Sequence, residues 1–299
     1  MNGGGNVNPI FEMVKYHGKE YPAEIVMRCE EIAAHLDINM IEPELLNYSL
    51  HTEYSYGKRK FDSTLYNETS ELALAQKGGV PQLWKNEQWA KEFAEFIFQL
   101  TYGKPAPTVI EIHPPFSDYT DSLETFVKRY KIFENIITER FPNVQILIEN
   151  RCGAVYHGGK FVLSKIDSLV ALSDIIDREG LHLRFAFDFP QLYTAHNCSN
   201  AKANKYFELI KELEPIKHNI AGVHLWGKRN SPTGRKVAHC GDLRSYFEDD
   251  EEIRMRFLKE FVTLFSDGQK RRLVLEVNSS NEDLQSIIAD LVSVGVKFE

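Results

Sequence analysis

Several common signatures are missing from this 299-residue chain. Its four cysteines, Cys29, Cys152, Cys198 and Cys240, include no CxxC pair. That argues against a disulfide framework and for reduced thiols in a cytoplasmic protein. No apolar run approaches the roughly 18 residues of a membrane span, so no membrane partner is expected. There is no P-loop, no Ser-His-Asp order and no GxGxxG after the first strand, which leaves nucleotide binding and serine-nucleophile chemistry without their usual carriers. Residues 1–9 are polar and rich in Gly and Asn; they lack the apolar core of a secretory signal and read as a loose tail. Positive charge is also short: the net charge is −8, whereas a protein held on nucleic acid by its overall field is usually basic.

What is present is an alternation of two patterns. Trp89, Phe93, Phe96, Ile97 and Leu100 recur at helical spacing, as do Leu123, Phe126, Val127, Tyr130 and Phe133. Leu284, Ile287, Ile288 and Leu291 do the same, with Asn281 as the expected N-cap. Between such stretches lie short runs of Val, Ile, Leu and Phe without strict alternation, the pattern of strands buried on both faces. Strands are expected near 10–16, 38–42, 47–51, 108–113, 144–149, 183–188, 220–224 and 272–277. Successive units are about 36 to 39 residues apart from His113 to His224, as strand–helix crossovers of 30 or more require. Eight strands, with no linker dividing residues 10–299, predict a single (β/α)8 TIM barrel with long C-terminal-face loops at about 52–84 and 225–245.

Six side chains of metal-ligand type each close one of these apolar runs: His51, His113, Glu149, Asp188, His224 and Glu276. A parallel barrel gathers its functional residues at the C-terminal ends of different strands, so the register points to one centre. Glu149, Asp188, His224 and Glu276 form the tightest set. One imidazole and three carboxylates suit a borderline-to-hard divalent ion, Mn²⁺ or Zn²⁺ foremost, with Mg²⁺ or Co²⁺ also compatible. For any single one of these residues, a polar group capping a loop is the ordinary reading. Taken jointly, buried charges at the same strand position need a shared partner, and a metal supplies it.

The ordered series His51, His113, Glu149, Asp188, His224, Glu276 resembles the xylose-isomerase-like barrel superfamily. The resemblance runs from about residue 22 to 294 and is strongest in Ile148 to Arg151, Phe187-Asp188, Gly222 to Leu225 and Leu275 to Val277. For the epimerase-like branch it implies one divalent ion on Glu149, Asp188, His224 and Glu276. There Glu149 and Glu276 double as the acid/base pair that works a sugar or sugar phosphate through a metal-stabilised enediolate. For the endonuclease IV-like branch, which cuts abasic DNA, it implies a second ion on His51, His113 and Glu149. Tyr54 then sits at the His-x-x-Tyr spacing of a DNA-contacting tyrosine. Two ligands of that branch's third zinc are absent, with Gln191 and Val237 in their places, while His239 remains. One or two ions are therefore expected, and an isomerase or epimerase of small sugars ahead of a nuclease. A metal-retaining, non-catalytic barrel is a third reading.

Two basic loops, Lys58-Arg59-Lys60 and Lys228, Arg229, Arg235 and Lys236, suit the phosphate of a sugar or of DNA, although solvated loops also carry such charges. The substrate-contacting set expected from these loops is Tyr54, Gln191, Trp226, Lys228, Arg229 and His239.

Overall fold

The computed structural model of the chain describes residues 8–33, 41, 45–52, 71–72, 82–156 and 159–299. Among them, eight parallel strands with helices between them close into a (β/α)8 barrel. In chain order they are β1 (Ile10–Lys15), β2 (Cys29–Ala33), β3 (Tyr48–His51), β4 (Val109–Ile112), β5 (Gln145–Glu149), β6 (Leu183–Asp188), β7 (Ile220–Leu225) and β8 (Lys270–Leu275). Every residue of β3, β4 and β7 is buried, which is why these runs lack the polar alternation of a one-sided sheet. No helix among the described residues is long and apolar enough to cross a membrane.

The strand expected near 38–42 lies, apart from Ile41, outside the described residues; the second described strand is Cys29–Ala33, where no strand was expected. Its sequence, Cys-Glu-Glu-Ile-Ala, hides it: two adjacent glutamates read as solvent-facing, yet Glu31 is buried. The cap of the last helix also shifts by one residue. Ser280, not Asn281, accepts the Asp283 N–H at 3.2 Å to begin the helix Asn281–Ser293. The long loop at 225–245 contains an antiparallel hairpin, Lys228–Asn230 against Lys236–Ala238. Tyr54, Tyr56, His35, His157 and the Lys58-Arg59-Lys60 loop lie outside the described residues, as does most of 52–84.

By packing, the chain forms two compact units, Met1–Glu30 with Phe187–Glu299, and Glu31–Ala186. In the first, β1 pairs with β8 from Ile10↔Lys270 to Val14↔Val274, and β8 pairs with β7 from Arg272↔Gly222 to Leu275↔Leu225. Helix Glu251–Phe265 covers this sheet with Phe257, Phe261 and Phe265, which pack on Phe11 and Phe189. Below it, the fully buried Arg271 donates to the Ile220 carbonyl and to both oxygens of Asp267, and so carries its charge paired.

In the second unit β3, β4, β5 and β6 pair in sequence, with His51↔Glu111 and Glu149↔Ala186 in register. The helices Glu87–Leu100 and Leu123–Arg140, capped by Asn86 and Ser122, bury the apolar faces that their spacing announces. Their aromatics gather on Trp84, whose ring lies 5.1 to 5.6 Å from those of Trp89, Phe93, Phe126 and Phe133. Trp84 Nε1 also donates to the His113 carbonyl at 2.6 Å. The aromatic cluster thereby anchors the backbone of a candidate ligand. Trp84→Ala should lower the unfolding free energy by about 3–5 kcal/mol, the usual cost of emptying a large aromatic site. Urea denaturation should show this loss, while Tyr102→Ala, at an exposed helix end, should change it by less than about 0.5 kcal/mol.

Candidate metal centre

Strand register explains which side chains meet. Alternate residues of a strand share a face, so His113, just beyond β4, falls on the same face as Glu111. Within the unit Glu31–Ala186, His51, His113 and Glu149 converge. His113 Nε2 lies 2.7 Å from Glu149 Oε2 and 3.2 Å from His51 Nε2, with the two imidazoles stacked 5.0 Å apart. His51 Nε2 is 3.8 Å from the same carboxylate oxygen. All three residues are buried. Protons cannot satisfy all three contacts. If His113 Nε2 carries hydrogen, it serves Glu149 but turns an N–H or a misdirected lone pair toward His51. If it carries none, its lone pair faces the carboxylate. With the facing nitrogens free of protons, a cation at the meeting point would be attracted by all three atoms, so the donor set fits a divalent ion of borderline character.

Further carboxylates surround this trio. Glu31 Oε1 is 3.4 Å from His51 Nδ1, and Glu111 Oε1 is 3.7 Å from His51 Nε2. Arg151 Nη1 donates to both oxygens of Glu149, at 2.9 and 2.7 Å, and its guanidinium lies over the Phe161 ring. Sequence reasoning missed Glu31, Glu111 and the role of Arg151. A signal for Glu111 did exist, because it precedes His113 by two residues on a buried strand.

Protonation follows from these neighbours. Burial opposes charge on His51, but the carboxylates of Glu111 and Glu31, then Glu149, outweigh it and hold its pKa up to about 10. Burial drives His113 down to about 3, against the pull of Glu149. In the metal-free protein the pair is therefore one imidazolium and one neutral imidazole.

The unit containing Phe187–Glu299 carries a second set. Asp188, His224 and Glu276 each offer a ligand atom within 4.8 Å of the others. Asp188 ends β6 and caps the short helix Phe189–Ala195; its Oδ1 accepts the Gln191 N–H at 2.7 Å and its Oδ2 the Trp226 indole N–H at 2.8 Å. His224 Nδ1 stands 3.3 Å from Glu276 Oε1, and His239 Nδ1 stands 3.3 Å from Glu276 Oε2. His224 is almost fully enclosed, whereas the His239 side chain is 24% exposed. Trp226 stacks on His239 with ring centroids 4.2 Å apart.

The loop that delivers His239 is stitched by backbone bonds. Cys240 N–H donates to Gly227 O, Asn278 N–H donates to His239 O, and Gly241 N–H donates to Ser279 Oγ. His239 itself takes a left-handed φ of 55°, a conformation that a non-glycine residue holds only when its surroundings fix it. Gly227 allows this close approach, because a Cβ there would lie 2.1 Å from the Gly241 carbonyl carbon.

The expected substrate contacts divide. Gln191, Trp226 and His239 adjoin Asp188 and Glu276 as described. Lys228 and Arg229 line a cleft of about 400 Å³ on the hairpin with Asn230, Lys236 and Tyr246. Their charge is partly spent: Arg229 pairs with Asp283 at 2.6 Å, and Lys236 pairs with Glu248.

No family model and no curated protein matches the chain. Solved structures do share its fold. The crystal structure of AsfvAP:AG superposes with a TM-score of 0.52 at 11% identity, covering 96% of this chain and 98% of that one. A D-allulose 3-epimerase from Methylomonas sp. gives a TM-score of 0.46 at 12% identity, covering 98% of this chain and 93% of that one. A xylose isomerase domain protein from Alicyclobacillus acidocaldarius gives 0.47 at 11% identity, covering 95% and 98%. Identities this low speak for the barrel fold alone.

Two outcomes follow from the site. A raised His51 pKa contributes stability that is whole below about 6.5 and lost as pH rises through about 10. A depressed His113 pKa contributes stability present above about 6.5 and lost as pH falls toward about 3. Metal-free wild type should therefore lose unfolding free energy relative to His51→Gln between pH 7 and 10, and relative to His113→Gln between pH 6 and 3. Urea titrations across both windows check the two signs. Separately, Gly227→Ala should cost about 1–3 kcal/mol or more by overpacking and should displace His239, read as loss of the Trp226–His239 stack in tryptophan fluorescence.

Proposed function

We propose that the chain is a divalent-metal-dependent isomerase or epimerase that moves a proton between carbons of a sugar or sugar phosphate. The observation that carries this reading is the setting of Glu276. Its buried carboxylate has an enclosed imidazole on one oxygen and a partly exposed imidazole on the other. A carboxylate so placed has one oxygen suited to a ligand role and one suited to exchanging a proton with substrate or solvent.

In this reading Glu149, Asp188, His224 and Glu276 hold one ion, Mn²⁺ or Zn²⁺. The ion supplies Lewis-acid polarisation of a substrate oxygen. Every other task falls to side chains. Glu149 and Glu276 are the acid/base pair, and Arg151 holds the Glu149 carboxylate in place by donating to both of its oxygens. The Gln191 backbone N–H and the Trp226 indole N–H fix Asp188. His239 faces the substrate with the Trp226 ring stacked behind it, and Lys228 and Arg229 on the hairpin cleft suit a phosphate at its far end. Residues 10–299 act as one barrel domain in the cytosol, where the four free cysteines stay reduced. That the chain is an enzyme of the TIM-barrel class is supported by the enzymes that share the fold.

A second reading rests on a specific observation, the convergence of His51 and His113 on Glu149. That trio offers a seat for a second ion, as phosphodiester hydrolysis uses, and AsfvAP, an AP endonuclease, has this fold. Abasic DNA would then be the substrate and Tyr54 a contact to it.

Elemental analysis beside two activity assays tests both. Protein purified without added metal should carry about one ion per chain, unchanged in His51→Ala/His113→Ala. It should exchange solvent deuterium into a ketose or ketose phosphate, and Glu276→Gln should slow that exchange by roughly 10²–10⁴-fold. Two ions in the wild type, one lost in the double variant, with cleavage of abasic DNA and no exchange, would move the assignment to the second reading. No ion after incubation with Mn²⁺ or Zn²⁺ would overturn both.

A further inference from the structure

Trp226 follows His224 by two residues at the end of β7, and its side chain is buried. Its two polar features point to different members of the acidic set. The indole N–H reaches Asp188 Oδ2 at 2.8 Å, while the indole face lies 4.2 Å from the His239 ring at an interplanar angle of 26°. His239 in turn sets its Nδ1 3.3 Å from Glu276 Oε2 and 3.1 Å from the Glu276 carbonyl oxygen. An unbroken series of direct contacts thus joins Asp188 to Glu276 through one indole and one imidazole. Nothing about a tryptophan here is demanded by packing alone, because a phenylalanine would fill most of the volume without donating to a carboxylate.

We infer that Trp226 is a positioning residue that couples Asp188 and Glu276 into one rigid ligand pair, and not a platform on which substrate stacks. This rests on the metal-dependent reading above. The physical reasons are three. The Gln191 backbone N–H already occupies Asp188 Oδ1, so the Trp226 N–H is what stops the carboxylate from rotating about its last bond and fixes which lone pairs remain for an ion. The indole donor also withdraws charge from Asp188, lessening its repulsion of the neighbouring Glu276 carboxylate when no cation is present. The ring face, finally, holds His239 against Glu276 although His239 sits at a left-handed φ of 55° in a loop. The Gly227–Cys240 bond and the Gly227–Gly241 approach keep that loop close enough for the stack.

The coupling is testable on the purified, metal-stripped protein with Co²⁺ as the probe, following its visible absorption and measuring affinity by competition with a chelator. Trp226→Phe keeps an aromatic face and removes the N–H; it should weaken Co²⁺ binding about 10–100-fold, the usual cost of losing a partner behind a ligand, and should shift the Co²⁺ absorption bands. Trp226→Ala should weaken it further. In a double-variant cycle with His239→Ala, the Trp226→Ala and His239→Ala effects should fall well short of additive, as expected for residues acting through one contact. Urea denaturation of each metal-free variant, with affinities measured where all are folded, separates this from a packing role. Lost stability with unchanged Co²⁺ affinity and bands in Trp226→Phe would overturn the inference. Fully additive Trp226→Ala and His239→Ala effects would overturn the coupling to Glu276. A wild type that binds no Co²⁺ at all would instead overturn the metal reading on which the inference stands.

Discussion

Buried charge at the ends of strands is the constraint on which the rest of this structure depends. Glu31, Glu111, Glu149, Asp188 and Glu276 are all buried, and a carboxylate removed from water is tolerated only when something nearby pays its desolvation. Here that compensation comes from the protein's own donors: His51 as an imidazolium between Glu31 and Glu111, Arg151 on Glu149, the Trp226 and Gln191 N–H groups on Asp188, and two imidazoles on Glu276. The aromatic cluster on Trp84 and the paired Arg271 secure the scaffold from which those side chains project.

The compensation is uneven, and the unevenness is what makes the site chemical as well as structural. Around His51, His113 and Glu149, two ring nitrogens and one carboxylate oxygen crowd within 3.8 Å of one another. Asp188, by contrast, is held by N–H donors on both oxygens and stands ready in a fixed orientation. A site meant only to bury charge would pair each carboxylate once and close; here Glu149 and Glu276 each face more than one partner. Arg151 and Trp226 are the partners that decide how the Glu149 and Asp188 carboxylates point.

Much of this was legible in the chain. The eight-strand barrel followed from the alternation and spacing of apolar runs, and His51, His113, Glu149, Asp188, His224 and Glu276 announced themselves by each ending such a run. Glu31 stayed hidden because Cys29–Ala33 reads as a polar stretch, where no strand was expected. Glu111 stayed hidden because an acid inside an apolar run looks like noise until strand register puts it on the face of His113. The basic hairpin read equally as phosphate-binding or as solvated charge; Asp283 and Glu248, which pair with Arg229 and Lys236, lie too far along the sequence for spacing to reveal.

The division between the two levels has a physical cause. Periodicity and strand-end position are local properties, written within a few residues, so sequence alone determined the barrel class, the core faces and the six residues of ligand type. Distances between atoms on different strands, the proton states of His51 and His113, and the link from Asp188 through Trp226 to His239 depend on register and loop path. Those are set by packing across tens to hundreds of residues, and only the tertiary structure decided them.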